Sequence, residues 1–136
     1  MIVVDANIIA GFLMPGAGAS AAARVYAKDP EWAAPLLLRS EFRNILATLL
    51  RNRIIDIDSA ILIMEESERL LDGNEYAVAS AGVLTLSGRS GCSAYDCEYV
   101  ALAQALRIPL VTRDREILAA FPKIAVDPDA FIKSFG

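Results

Sequence analysis

Short apolar segments alternate with longer amphipathic segments along this chain. The apolar segments have the length of buried strands, which are predicted at residues 1–4, 32–34, 75–78, 109–112 and 123–126. The amphipathic segments predict helices at residues 7–13, 20–28, 36–53, 58–71, 79–87, 94–106, 115–121 and 128–135. Strands that alternate with helices form parallel sheets through right-handed crossovers, so we predict an α/β fold: a three-layer α/β/α sandwich with a central parallel sheet.

Several predicted helix ends depend on particular residues. Pro35 is predicted to open the third helix, which has an apolar stripe at helical spacing made of Leu38, Phe42, Ile45 and Leu49. Asp58 or Ser59 is predicted to cap the fourth helix, and the Asp72-Gly73-Asn74 segment to end it. Residues 88–91, Gly-Arg-Ser-Gly, are predicted to form a loop before the sixth helix.

The length and apolar content of the chain match one folding unit. It has 136 residues, 55% of them hydrophobic, and shows no internal repeat or linker. We therefore expect a single domain over residues 1–136. No apolar run reaches the roughly 18 residues that span a bilayer, and MIVVDANII lacks the basic start of a signal peptide. A cytoplasmic protein without membrane association is expected.

Histidine is absent from the sequence, which restricts the possible chemistry. The serine–histidine and cysteine–histidine nucleophile systems are excluded, so catalysis must depend on carboxylates, lysine, tyrosine or a metal ion. Cys92 and Cys97 fit neither a zinc finger nor a disulfide framework and are expected to be reduced, structural thiols. The net charge of −4 argues against a nucleic-acid partner unless carboxylates bind a divalent cation, which reverses the local charge.

Two aspartates follow predicted strands. Asp5 ends the first strand and Asp114 follows the strand in PLVT, so both should lie at the carboxyl edge of the sheet, where open α/β folds bind ligands. Each has a simpler explanation, because aspartate is a preferred helix cap: Asp5 or Asn7 could cap the first helix, and Asp114 the seventh. Asp96 could likewise complete a cap begun by Ser93. The residues by themselves leave both interpretations open.

Glu41 and Asp96 indicate a common acidic pocket. Glu41 borders the apolar stripe of the third helix, where an unpaired carboxylate is expected to be partly desolvated; pairing with Arg39 or Arg43, or a position at the surface, is the simpler explanation. Asp96 shares a helix face with Tyr99 and other residues that point toward the core. Carboxylates gathered in one place repel one another, and a hard cation such as Mg²⁺ or Mn²⁺ relieves the repulsion.

Segments that together cover essentially the whole chain resemble the PIN domain, and most closely the VapC-type toxin ribonucleases of toxin–antitoxin pairs. They are MIVVDANIIAGFL, the SEF of the third helix, SAYDCEYVALAQALRIPLVTRD, and the last strand and helix. The order and spacing of YDxxYVALAxxLxxPLVTRD are the most specific part. The resemblance implies an α/β/α fold with acids around Mg²⁺ or Mn²⁺, an endoribonuclease that cleaves single-stranded or loop RNA, and a cognate antitoxin protein as partner.

Carried over by position, the resemblance implies catalytic roles for four acids: Asp5, Glu41, Asp96 and Asp114. Asp5, Asp96 and Asp114 would hold the metal. Glu41 would be an outer ligand or a base acting through water. The implied reaction is metal-assisted hydrolysis that leaves a 5′-phosphate and a 3′-hydroxyl.

Other side chains near the acidic motifs are predicted to support the site. Asn7 and Thr112 match the family's small polar residues, and Glu116 stands near where some members carry a further acid. RNA phosphate contacts are predicted for the flanking arginines, Arg39, Arg43, Arg89, Arg113 and Arg115, although surface charge would look the same in sequence. Tyr95 and Tyr99 have the spacing of core aromatics, which we prefer to base stacking.

Two other classes of protein fit parts of this pattern. A signalling domain that binds Mg²⁺ beside a phosphorylatable aspartate has a similar size and topology, but it needs an adjacent acidic pair where VVDANII offers only Asp5. A non-catalytic PIN scaffold that binds protein or RNA would not need all four acids. The apolar helices at residues 20–28 and 57–71 are candidate surfaces for a partner or a homodimer, although core packing explains most of their apolar positions.

Overall fold

The computed structural model describes residues 1–134 and shows strands and helices in alternation. The strands are β1 (Ile2–Val4), β2 (Trp32–Pro35), β3 (Glu75–Tyr76), β4 (Leu110–Val111) and β5 (Ala125–Val126). The helices are α1 (Ala6–Leu13), α2 (Ala19–Lys28), α3 (Leu37–Arg51), α4 (Ile57–Leu70), α5 (Ser80–Ser90), α6 (Ala94–Leu106), α7 (Arg115–Ala120) and α8 (Pro128–Lys133). None of these helices combines the length and the apolar character that crossing a bilayer requires.

All five strands form one parallel sheet in the order β3-β2-β1-β4-β5. The crossovers that lead to β2 and β3 run in one direction along the sheet, and the crossovers that lead to β4 and β5 run in the other. Crossovers between parallel strands are almost always right-handed, so two sets that run in opposite directions place helices on both faces. In agreement, α1 packs against α2, α3 and α4, whereas α6 packs against α5 and three of the strands. The predicted α/β/α sandwich with a parallel sheet is confirmed.

The order of the strands reverses beside β1. The chain continues from β1 to β2 and β3, and then returns to β4 on the other side of β1. The segments that leave the carboxyl ends of β1 and β4 therefore diverge toward opposite faces and leave a crevice between them, where open α/β sheets bind ligands. Asp5 follows β1 directly, and Thr112 follows β4 directly. The topology thus brings both residues to this crevice.

An aromatic cluster holds the first two helices against β2. The Trp32 ring is completely buried, and its indole N–H donates to the carbonyl of Asp29 at 2.8 Å, so its polar atom is satisfied. Phe12 and Tyr26 stack on each other with ring centroids 4.6 Å apart, and both meet the Trp32 ring edge-on. The two free thiols, Cys92 and Cys97, are also buried, which confirms their predicted structural role.

Two predicted helix boundaries were wrong. The strand β2 includes Pro35, and α3 begins at Leu37, because the missing N–H of Pro35 falls where β1 no longer pairs with β2. The predicted loop at residues 88–91 is helical through Ser90, and Gly91, at a φ of 76°, ends α5 in the left-handed conformation. The predicted end of the last helix, at residue 135, lies outside the described residues.

The apolar stripe of α3 is turned slightly from its predicted position. Leu38 and Phe42 are buried as expected, but Leu46 is the third deeply buried member. Ile45 and Leu49 are half-buried and line a groove on the surface. The helix therefore presents one apolar edge to the core and a neighbouring edge to this groove.

The cap of α4 is Asp56, not Asp58 or Ser59. Asp56 has the extended backbone of an N-cap, and its carboxylate accepts the backbone N–H of Ser59 at 2.7 Å. Asp58 already lies inside the first turn, so its side chain can only complement the helix dipole.

We predict that Asp56→Ala lowers the melting temperature by several degrees at neutral pH, whereas the matched control Asp58→Ala lowers it much less. The hydrogen bonds from Ser59 lower the pKa of Asp56, so the stabilisation is present above the unfolded pKa and is lost as the pH falls through the folded pKa. Thermal unfolding monitored by circular dichroism at neutral and acidic pH measures both effects. Equal losses in the two variants would contradict the assignment of the cap.

Candidate active site

The four predicted catalytic acids line one pocket at the carboxyl edge of the sheet. The pocket has a volume of about 430 Å³, and its walls include Asp5, Glu41, Asp96 and Asp114. These residues come from the end of β1, from α3, from α6 and from the segment after β4. Asn7, predicted to support the site, lies in the same wall. Side chains up to 109 positions apart in the sequence therefore share one cavity.

Asp5 is the most deeply buried of the four acids, with 7% of its surface exposed. Its Oδ1 accepts the backbone N–H groups of Asn7 and Ile8 at 3.0 and 3.1 Å, which caps α1. Its Oδ2 accepts the hydroxyl proton of Thr112. Burial raises the pKa of Asp5, the bonds from Thr112 and the backbone oppose that rise, and the negative charge of Asp114 adds to it.

Thr112 connects the two aspartates at the strand ends. It is fully buried, and its hydroxyl donates to Asp5 while its Oγ1 accepts the backbone N–H of Asp114 at 3.0 Å. One hydroxyl thereby uses both its donor and its acceptor capacity. The structure places Thr112 where the sequence predicted a supporting residue, between two of the acids.

Asp114 is the N-cap of α7. Its Oδ1 accepts the N–H groups of Glu116 and Ile117 at 2.9 and 3.1 Å. Its Oδ2 makes no hydrogen bond with residues 1–134. Capping and ligand binding are therefore compatible, because they use different oxygens of one carboxylate.

Asp96 lies in the first turn of α6, and its backbone N–H donates to the Oγ of the N-cap Ser93 at 3.1 Å. Its carboxylate accepts no backbone N–H within the described part of the chain, so it does not complete the cap. Burial raises the pKa of Asp96, the negative charge of Asp114 raises it further, the Ser93 hydroxyl lowers it, and the charge of Glu116 raises it again. The side chain is thus a partly desolvated carboxylate with no positively charged partner in residues 1–134.

Glu41 pairs with a tyrosine rather than with an arginine. The Tyr99 hydroxyl donates to Glu41 Oε1 at 2.5 Å, and the Tyr99 side chain is only 3% exposed. Burial raises the pKa of Glu41, the Tyr99 bond lowers it, and the charges of Asp96 and Asp5 raise it again. Burial and the same carboxylate also raise the pKa of Tyr99 well above its usual range. Our sequence interpretation treated Tyr99 as packing alone, although a buried phenol normally needs a hydrogen-bond partner.

The donors in this pocket fit a hard divalent cation in their chemistry. Carboxylate oxygens are the ligands that Mg²⁺ and Mn²⁺ prefer, and burial raises the pKa values of Asp5, Glu41 and Asp96 with no basic side chain nearby to oppose the rise. Within residues 1–134, no three Asp, Glu or Cys side chains are already arranged to hold an ion. Direct ligation therefore requires side-chain rotations, which the unbonded Oδ2 of Asp114 permits.

The predicted RNA-binding arginines lie in several different places. Arg39 forms a two-bond pair with Glu75 at 2.7 Å and contacts Glu68 at 3.1 Å, so its guanidinium is used to join α3 to α4 and β3. This contact gives no support to a phosphate-binding role. The other four are exposed and outside the walls of the pocket: Arg43, Arg89, Arg113 and Arg115. Arg113 lines the surface groove that Ile45 and Leu49 also line. This groove adjoins the pocket, because Asn7 lines both.

Glu116 and Tyr95 do not lie where the sequence placed them. Glu116 is exposed and is not in the wall of the pocket, although its charge is felt by Asp96. Tyr95 is 64% exposed and lines the pocket, so the prediction that it packs in the core was wrong. The spacing of Tyr95 and Tyr99 is that of one helix face, but α6 begins only at Ala94, and its first turn projects beyond the core.

Comparisons with known proteins agree with this fold. A model of the PIN domain family matches residues 2–125. Ribonuclease VapC3 from Pyrobaculum aerophilum is 29% identical over 126 residues, which cover 90% of this chain and 96% of that protein. The crystal structure of PAE2754 from the same organism has a TM-score of 0.74 at 25% identity, covering 96% of this chain and 85% of that one.

A toxin–antitoxin complex from Klebsiella pneumoniae contains a chain of similar fold, with a TM-score of 0.67 at 17% identity. The match covers 94% of this chain and 98% of that chain. The family match runs from the first strand to the last and includes the segments that carry all four acids. The predicted resemblance is confirmed, and this chain belongs to the PIN domain family.

Proposed function

We propose that this protein is a metal-dependent endoribonuclease and the toxin of a toxin–antitoxin pair. The observation that carries the proposal is the meeting of Asp5, Glu41, Asp96 and Asp114 in one pocket at the point where the strand order reverses. The similarity to Ribonuclease VapC3 over nearly the whole of both chains supports RNA as the substrate. The acidic donors support Mg²⁺ or Mn²⁺ as the cofactor.

In this proposal Asp5, Asp96 and Asp114 hold the cation. When bound, Mg²⁺ or Mn²⁺ supplies positive charge at the scissile phosphate and lowers the pKa of water. Glu41, whose pKa is raised by burial, accepts a proton from the attacking water, and the Tyr99 hydroxyl holds Glu41 in orientation. Without histidine the chain offers no conventional base for the RNA 2′-hydroxyl, so hydrolysis leaves a 5′-phosphate and a 3′-hydroxyl.

The substrate in this proposal is single-stranded or loop RNA. The pocket is a cleft at the edge of the sheet, and a flexible strand can bring one phosphate to carboxylates that a rigid duplex would keep at the surface. Arg113 and Arg115 flank Asp114 in sequence and are exposed, so they contact the neighbouring phosphates. Arg43 and Arg89 are more distant contacts for a longer strand.

The proposed protein partner is a cognate antitoxin. Support comes from the toxin–antitoxin complex of similar fold and from an apolar groove of about 710 Å³ next to the pocket. The groove is lined by residues that include Ala10, Leu13, Met14, Leu49, Ile54 and Ile63. We also propose that the protein is cytoplasmic and forms a homodimer. Three exposed apolar side chains of α4, Ile57, Ile61 and Leu62, are the candidate dimer surface.

The alternatives are less well supported by the geometry. A phosphoacceptor signalling domain needs an adjacent acidic pair after β1, and Asp5 stands between Val4 and Ala6. A non-catalytic scaffold would have no reason to keep four acids together in one pocket, because their repulsion destabilises the fold. Hydrolysis of RNA by the purified protein, tested with and without metal, distinguishes the enzyme from the scaffold.

We predict that Mg²⁺ or Mn²⁺ raises the melting temperature of the wild-type protein, because binding to the folded state shifts the unfolding equilibrium. Asp114→Asn should keep the cap of α7 but lose most of this shift. The matched control is Asp127→Asn, which alters an aspartate that caps α8 outside the pocket wall. Differential scanning calorimetry measures both shifts. Equal metal responses in the two variants would remove Asp114 from the ligand set.

We predict that Asp96→Asn lowers metal-dependent RNA cleavage by about 100-fold or more, the size expected for the loss of one electrostatic contribution at a reacting phosphate. The fold should survive, because the Ser93 cap uses the backbone N–H of Asp96 and not its carboxylate. Glu98→Gln, two residues further along α6 and outside the pocket wall, is the control. Gel electrophoresis of end-labelled RNA measures the rate, and full activity of Asp96→Asn would disprove the assignment.

We predict that the metal-free protein loses stability relative to Asp5→Asn as the pH rises from about 4 toward neutral. The pKa of Asp5 is raised above its ordinary value of 3.8, so the folded state binds the proton more tightly. This contribution to stability is present below the unfolded pKa and is lost as the pH rises through the folded pKa. The asparagine does not titrate and still caps α1. Unfolding in chelator at several pH values measures the difference; a constant difference would show that burial of Asp5 carries no such cost.

A further inference from the structure

The side chain of Tyr95 has no role within the fold that accounts for its position. Of the aromatic side chains in residues 1–134, it is the only one that is mainly exposed. Its hydroxyl forms no hydrogen bond in that part of the chain, and its ring stacks on no other ring there. An exposed aromatic ring forgoes the free energy of burial, which is large for a tyrosine. Its contact surface is therefore available to a molecule outside the chain.

The ring lies at the rim of the acidic pocket. Tyr95 directly precedes Asp96 and lies one helical turn before Tyr99, which is fixed to Glu41. Helical side chains lean toward the N-terminus of their helix, so the ring extends past the first turn of α6 and borders the pocket. Leu37 and Ile45 add half-buried apolar surface to the same wall. The rim of the pocket is thus apolar and aromatic, and it adjoins the four carboxylates that are proposed to bind a cation and, through it, a phosphate.

We propose that Tyr95 stacks on a nucleobase next to the scissile phosphate and so positions the RNA. The inference rests on the proposed function, because it takes the phosphate to lie at the four acids. A base is separated from its phosphate by one sugar, so a phosphate on the pocket floor brings a neighbouring base to the rim. Every base has a π-face, and stacking on tyrosine therefore adds affinity with little sequence preference. Tyr95 is a positioning residue and touches no reacting atom.

A nucleobase fits this ring better than a protein partner does. The apolar surface suited to a protein lies in the groove formed by α1, the segment after it, and the end of α3, and Tyr95 is not among the residues that line that groove. Tyr95 instead lines the pocket together with Ser40 and Asn44, whose polar groups can form hydrogen bonds with a base or a sugar. Contact with a protein remains an outcome that the experiment can reveal.

The first measurement is RNA affinity in the Glu41→Gln background, which keeps the three proposed metal ligands, removes the proposed base and under the proposed function does not cut the probe. Fluorescein-labelled oligouridylate and oligoadenylate are titrated with Mn²⁺ present, and anisotropy gives the affinity. We expect Tyr95→Leu to weaken binding about tenfold, equivalent to about 1.4 kcal/mol, whereas Tyr95→Phe and Tyr95→Trp retain it. Leu84→Ala, which shortens an exposed side chain on α5 outside the pocket, is the control.

The second measurement uses otherwise wild-type protein that cleaves RNA. Tyr95→Leu should raise KM with little change in kcat, and removing the base next to the cleaved phosphate should raise KM for the wild-type protein but not for Tyr95→Leu. Equal RNA affinity and KM in all Tyr95 variants would overturn the inference, whether the ring is free or contacts a protein, while cleavage itself would keep the proposed function intact.

The remaining outcomes separate the two proposals. Binding that depends on an aromatic residue at position 95, in a protein that never cleaves RNA, would support the stacking role and overturn the ribonuclease. A wild-type protein that neither binds nor cleaves these RNAs would overturn both.

Discussion

The pairing of β1 with β4 is the contact on which the pocket depends. Val4 lies opposite Val111, so the residues that follow, Asp5 and Thr112, emerge side by side at the edge of the sheet. The Thr112 hydroxyl then joins Asp5 to the backbone of Asp114. Because the strands are completely buried, these positions have little freedom, and a shift of one residue in register would turn the acids away from each other. The core therefore determines where the acids meet.

Two of the acids serve the fold and the pocket at once. Asp5 and Asp114 each use one oxygen to cap a helix, which holds the carboxylate at a strand end without a salt bridge. Burial makes the charge of Asp5 costly, and the charge of Asp114 raises the pKa values of both Asp5 and Asp96. A site of this kind is stable because the caps and the buried sheet offset the repulsion. Glu41 is also held by a hydrogen bond to one of its oxygens, but the donor is the side chain of Tyr99 and not a helix backbone.

The sequence predicted what depends on local pattern and failed where distant elements meet. Alternating strands and helices and the acids at strand ends are visible because apolar periodicity and chain order determine them. The hydrogen bond from Tyr99 to Glu41 joins residues 58 positions apart, and no local sequence pattern predicts it. The exposure of Tyr95 was missed because helical spacing defines a face but not how far the core extends along it. Asp56 was missed as a cap because two aspartates, Asp56 and Asp58, stand close together where α4 begins, and only the backbone shows which one is extended.

The bond between Thr112 and Asp5 spans 107 positions, which has a consequence for the order of assembly. A ribosome releases the chain from its first residue onward, so Asp5 and Glu41 emerge long before β4 exists. Until β4 has left the exit tunnel and inserted beside β1, the middle of the sheet is incomplete and the acids have no common pocket. A nuclease assembled in this way would remain inert throughout most of its own synthesis, even while it is attached to an RNA-rich machine.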